Sequence, residues 1–182
     1  MHIDLLTFIT GNPGKAEQLA RHLEYPVAHQ KLDLPEIQSL DLKEIVEHKA
    51  KEAYKQIQKP VLVEDTSLTF SALGKLPGPL IKWFLTELDN IGLCKLLDGY
   101  TDRSAYAEVC FGLYNGKELQ IFEGGVKGVI SESPRGKRGF GWDPIFIPGG
   151  STKTWGEMTP EEQKETSMRR MALKKLEAFL SV

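Results

Sequence analysis

Apolar residues along this chain keep two rhythms. A continuous run at 3–9 predicts a buried strand, 25–31 a second strand ended by Asp33, Leu34 and Pro35, and 61–63 a short strand buried on both faces. Residues 68–73 continue as another strand. Between 41 and 58 the spacing changes. Leu42, Ile45, Val46, Ala50, Ala53, Tyr54 and Ile57 fall on one helical face with charges opposite, Asp41 caps the helix, Glu44 completes a capping box and Pro60 ends it. An earlier helix has Pro13 near its first turn and runs to about Glu24. Helices are also predicted at 80–88 and 91–97, after a turn-rich loop at 74–79, with Gly99 stopping the second. Residues 104–114 and 117–130 alternate or are β-rich, and Asn115-Gly116 between them predicts a hairpin. A Gly/Pro/Arg loop at 131–143 leads to a short apolar stretch at 144–147. The last element is predicted as one helix. Thr159 is its N-cap, Pro160 lies in its first turn, Glu162 closes a capping box, and Met168, Met171, Ala172, Leu176, Phe179 and Leu180 form its apolar stripe. Strands and helices alternate and then give way to a hairpin, which predicts an α/β fold with a mixed sheet rather than a doubly wound one.

Composition narrows the classes. The 182 residues are 41% hydrophobic and 26% charged, the make-up of an ordinary soluble protein of one domain or two tightly joined lobes. A net charge of −2 leaves no broad basic face for duplex nucleic acid, so any phosphate binding must be local. Cys94 and Cys110 lie in apolar segments without metal-site spacing and read as reduced core residues. The four histidines are scattered and suggest neither a triad nor a metal site. No basic leader, signal peptide or membrane-length apolar run is expected, so the default compartment is the cytoplasm.

Two polar strings follow apolar runs. Thr10-Gly11-Asn12-Pro13-Gly14-Lys15 comes after the first strand and aims backbone N–H groups and one ammonium at an anion. It is not a P-loop, because Ile9 and Ala16 stand where that motif needs Gly and Ser or Thr. A plain strand-to-helix turn accounts for it equally well. Glu64-Asp65-Thr66-Ser67 comes after 61–63, and carboxylates at a strand end are hard oxygen ligands suited to Mg²⁺, or a cap or turn. The two strings together suggest a nucleotide polyphosphate and a metal in one cleft. Glu36, by itself, reads as a solvated loop acid. Gly139-Phe140-Gly141-Trp142-Asp143-Pro144 offers aromatics that could stack a base and a carboxylate that could accept from base N–H groups, or simply a turn capping the core. Ser167-Met168-Arg169-Arg170 reads as the basic face of an amphipathic helix.

In order, these motifs resemble the inosine triphosphatase family, the house-cleaning pyrophosphatases of noncanonical purine nucleoside triphosphates. Leu34-Pro35-Glu36, Leu76-Pro77-Gly78-Pro79 with Lys82-Trp83-Phe84, and Ser104-Ala105-Tyr106 extend the match over nearly the whole chain. The resemblance implies an elongated mixed β-sheet with helices on both faces, two lobes flanking a nucleotide cleft, a single domain over 1–182 and a homodimer. It implies Mg²⁺-dependent hydrolysis of triphosphates such as ITP, dITP or XTP to monophosphate and pyrophosphate. It assigns the triphosphate to Thr10, Gly11, Asn12, Pro13, Gly14 and Lys15, and the metal to Glu36 and Asp65, with Asp65 also orienting the attacking water. Lys49, Thr66 and Lys82 would contact the nucleotide. Phe140, Gly141 and Trp142 would shape the base pocket, and Asp143 would read the base. The family usually has a Lys-Asn pair and then Ser-His-Arg near the end, where this chain has Gln163-Lys164 and Ser167-Met168-Arg169. Gln163 and Met168 therefore leave open an alternative: a nucleotide-binding protein, or a pyrophosphatase of altered base specificity. A nucleic-acid polymer or a membrane is not an expected partner.

Overall fold

A computed structural model describes residues 5–11, 15, 16, 19, 23 and 25–181. Its strands are β1 (Leu6–Ile9), β2 (Val27–Gln30), β3 (Val61–Phe70), β4 (Pro77–Gly78), β5 (Ser104–Tyr114), β6 (Leu119–Ile130) and β7 (Phe146–Pro148). They form one sheet in the order β2-β1-β3-β5-β6-β7, with β4 paired to β3. β1 runs parallel to β2 and β3, whereas β4 and β7 are antiparallel to their neighbours, so the sheet is mixed as the pattern predicted. The helices are α1 (Leu42–Ile57), α2 (Ile81–Lys95), α3 (Pro160–Glu165) and α4 (Met168–Leu180). Of the helix predicted from Pro13 to Glu24, the described residues Lys15, Ala16, Leu19 and Leu23 are helical, and the last three are buried; the remainder lies outside the described residues, as does the start of the strand predicted from residue 3.

The chain divides into two compact units. One comprises 1–65, 109–124 and 169–182, the other 66–108 and 125–168. In the first, Leu42, Val46, Ala50 and Ala53 of α1 pack on Ile9, Val61, Val63 and Cys110. Burying each of the Leu, Ile and Val side chains contributes about 1.5–3 kcal/mol. The opposite sheet face meets α4, where Phe122 contacts Phe179 with ring centroids 5.5 Å apart. Helices thus cover both faces of the sheet in this unit. In the second unit Leu68, Phe70, Ile81, Leu97, Ile145, Phe146, Trp142 and Trp155 form a separate core. Cys94 and Cys110 are both buried and form no disulfide.

Three local features differ from the pattern's forecast, and the predicted separation of the helices at 80–88 and 91–97 is present. The acids at 64 and 65 do not end a strand: 61–63 and 68–73 belong mostly to one ten-residue β3, which runs through the polar string and buries Ser67, Leu68 and Phe70 beyond it. At α1, Asp41 Oδ1 accepts from the N–H groups of Lys43 and Glu44, but Glu44 does not reach back to residue 41. The Ser39 hydroxyl takes that N–H instead and donates to the Glu44 carboxylate. The helices predicted at 80–88 and 91–97 appear as α2 with a break at Asp89, whose φ of 55° leaves helical space. Its carboxylate caps the second segment by accepting from Ile91 and Gly92 N–H. The final helix is two helices. Thr166 leaves the helical path, and its hydroxyl accepts from Trp155 Nε1 at 2.9 Å.

Candidate active site

Strand geometry settles how the two adjacent acids are used. Successive residues of a strand point to opposite faces. Val61 and Val63 face α1, so Asp65 does too, and Glu64 faces the other way with Leu62. The pair is therefore not one bidentate cluster.

On the α1 face, Lys49 follows Leu42 and Val46 at helical spacing and lies at the rim of the buried stripe, its side chain 18% exposed. Its ammonium donates to Asp65 Oδ2 at 3.1 Å and to Glu36 Oε1 at 3.2 Å. Leu32 and Leu34 pack on the core and anchor the loop from which Glu36 reaches in. Burial alone would pull the Lys49 pKa down, but the carboxylates of Asp65 and then Glu36 outweigh it and hold the ammonium above its ordinary value. Two carboxylates thus converge on one positive charge. That donor set suits a magnesium-type cation completing its shell with water and phosphate oxygens. Among the described residues no third acidic, His or Cys side chain joins them.

On the opposite face, Glu64 is nearly enclosed, its side chain 4% exposed. Its Oε1 accepts from Lys15 Nζ at 3.1 Å, and its Oε2 accepts from the guanidinium of Arg169, the second residue of α4. Arg169 also lies over the Phe111 ring, 5.6 Å from its centroid. Thr10 closes β1 by donating its N–H to Gln30 O at 3.0 Å, and Gly11 follows, exposed. Asn12, Pro13 and Gly14 lie outside the described residues.

The second unit holds the other candidates. Phe140 is 66% exposed, while Trp142 is 8% exposed and packs against Phe146 and Trp155. Asp143 is buried. Its Oδ2 accepts from Phe140 N–H at 3.0 Å, and the Gln163 side chain bonds it too. Burial pushes its pKa up to about 6 against the pull of those two hydrogen bonds. Gly139 makes this geometry possible: its φ is +74°, and a Cβ there would stand 1.9 Å from Asp143 Oδ2. Gly141 accepts through its carbonyl from Asn90 Nδ2 at 2.9 Å. Met168 packs on this unit's core. Lys82, exposed on α2, lies over its neighbour Trp83, and Thr66 is a half-buried residue of β3.

The structure therefore joins Lys15 to Arg169 through Glu64, Glu36 to Asp65 through Lys49, and Asp143 to Gln163. Glu64 was legible only as an acid beside Asp65. A continuous strand would have been the signal that separated them.

A family model described as the Ham1 family matches residues 6–179. A curated protein named inosine triphosphate pyrophosphatase 2, from Trypanosoma cruzi (strain CL Brener), is 47% identical over 177 residues, covering 95% of this chain and 90% of the relative. Among solved structures, a HAM1 protein from Coxiella burnetii superposes with a TM-score of 0.87 at 26% identity, covering 100% of this chain and 99% of that one. A nucleoside-triphosphatase/dITP/XTP pyrophosphatase from Mycobacterium abscessus ATCC 19977 / DSM 44196 gives a TM-score of 0.77 at 30% identity, covering 94% and 98%.

Proposed function

This chain belongs to the Ham1 family, and on that premise we propose that it is a nucleoside triphosphate diphosphatase acting on noncanonical purine nucleotides such as ITP, dITP and XTP. The names of its relatives, an inosine triphosphate pyrophosphatase and a dITP/XTP pyrophosphatase, support the substrate class. The observation that carries the chemistry is the convergence of Glu36 and Asp65 on one cation.

In this proposal those two carboxylates hold a divalent metal, Mg²⁺ by the hardness of the oxygen donors. Bound there with the triphosphate, the ion would supply charge neutralisation and a Lewis acid. Asp65 orients a water and takes its proton as the water oxygen bonds to the α-phosphorus. The bond from that phosphorus to the bridging oxygen breaks, and pyrophosphate leaves with the electron pair. Lys15 and the backbone following β1 hold the phosphates, and Lys49, kept charged, offsets the carboxylates before substrate arrives. Such reactions are catalysed mainly by positioning and electrostatics. Lys82 and Thr66 serve as further nucleotide contacts. Phe140 stacks the base, and the Asp143 carboxylate accepts from the N1–H that 6-oxopurines carry and adenine lacks. Gln163 steadies that carboxylate. A homodimer and a cytoplasmic enzyme are part of the same proposal, with 1–182 acting as one functional domain; the buried thiols, which form no disulfide, suit a reducing compartment.

The test is a panel of ITP, XTP, dITP, ATP, GTP, dUTP and CTP scored for monophosphate and pyrophosphate. Preferential conversion of ITP, dITP and XTP to both products over ATP, CTP and dUTP is the expected result, with GTP showing how far the shared N1–H admits guanine. Binding without turnover, or orthophosphate as the product, would overturn the proposal.

A further inference from the structure

Glu64 has no part in the hydrolytic scheme above, yet its side chain is more enclosed than those of Glu36 and Asp65. Taking a carboxylate out of water is unfavourable unless it is paired and hydrogen-bonded. Both of its oxygens are used, and both partners are cations brought from far along the chain: Lys15, 49 residues before it, and Arg169, 105 after it. Its strand position turns it away from Asp65 and Lys49, so it does not share their work.

An ammonium has three N–H groups, and the bond from Lys15 to Glu64 engages one of them. Arg169 is fixed from two sides, by Glu64 and by the Phe111 ring, and among the described residues its buried Nε has no hydrogen-bond partner. A buried guanidinium nitrogen in that state is a donor awaiting an acceptor.

Resting on the diphosphatase proposal, we infer that Glu64 is a positioning residue: it ties Lys15 and Arg169 to one carboxylate so that two cations stand together, in fixed orientation, to receive an anionic substrate. Two free cations would repel. Held by one intervening carboxylate, they stay close at little electrostatic cost, and their orientation is set before the ligand arrives. The contribution belongs to kcat, because misaligned charge stabilises the departing pyrophosphate less than the bound triphosphate.

The experiment is a double-mutant cycle on ITP turnover with Glu64→Gln and Lys15→Met. Glu64→Gln keeps the shape and removes the charge. It should lower kcat about 100-fold, the scale expected when a reacting group is misplaced by an ångström, with KM changing much less. In the Lys15→Met background the same substitution should lower kcat by much less than in the wild type, because one of the two cations through which it acts is gone. Lower melting temperature with unchanged kcat would make Glu64 merely structural and overturn the inference. So would effects that multiply in the double variant. Should Glu64→Gln not fold, Glu64→Asp carries the cycle by keeping the charge and withdrawing it one methylene; wild-type kcat in that variant overturns the inference equally. Failure of the underlying proposal is separately visible, since a wild-type protein that releases no pyrophosphate sinks it before any variant is made.

Discussion

Asp143 shows how much one buried side chain can report. Its pKa of about 6 stands above an ordinary aspartate's 3.8 because burial penalises the charged form. A raised native pKa means that the folded state binds the proton more tightly than the unfolded one. The associated stability is complete below pH 3.8 and is lost as pH rises through 6, so burying this carboxylate costs about 3 kcal/mol at pH 8. Asp143→Asn should therefore melt higher than the wild type at pH 8, and the difference should shrink toward zero near pH 4 in a melting series. Base choice should follow the same titration. Lowering pH through 6 converts the acceptor into a neutral acid, so the ratio of ITP to ATP kcat/KM should fall, which competition kinetics reads directly. The departures at Gln163 and Met168 also belong to this scale. Gln163 holds Asp143 and Met168 fills a core, so Gln163→Lys with Met168→His should alter the ITP/ATP ratio; equal ratios would show that the two positions are neutral for base choice. Residue types made Asp65 and Asp143 legible as candidates. Glu64 was not, because its role depends on partners 49 and 105 positions away.

At the scale of elements, what could be read depended on whether the deciding forces were local. α1 followed from its apolar spacing and Asp41, the hairpin from Asn115-Gly116, and the break in α2 from a gap in the periodicity that Asp89 fills with a cap. The capping box at α3 is also local: Thr159 accepts from Glu162 N–H and Glu162 accepts from Thr159 N–H. Thr159→Ala should lower stability by about 1 kcal/mol, measured by denaturant unfolding. β3 was misread because four consecutive polar residues look like a strand end, whereas the strand lies between β1 and β5 in the sheet and continues past them. The division between α3 and α4 was invisible for a similar reason. Nothing in Thr166-Ser167 forbids a helix; the hydrogen bond from Trp155 to the Thr166 hydroxyl comes from outside the local sequence.

For the whole molecule, the order of motifs said more than any one of them. The mixed sheet and the family both held, although Thr10, Glu36 and Phe140 each had an ordinary structural explanation when taken alone. The proposed scheme gives the metal to two carboxylates that otherwise share an ammonium. Chelation with EDTA should accordingly abolish turnover, and added Mg²⁺ should restore it, in a continuous pyrophosphate-release assay. The central claim is that Asp65 activates the water that cuts a nucleoside triphosphate between its α and β phosphates. The most direct measurement is ITP hydrolysis in ¹⁸O-water by the wild type and by Asp65→Asn. The account predicts label in IMP with unlabelled pyrophosphate, and a fall of at least about 100-fold for the variant. Label in pyrophosphate, or a variant as fast as the wild type, would contradict it.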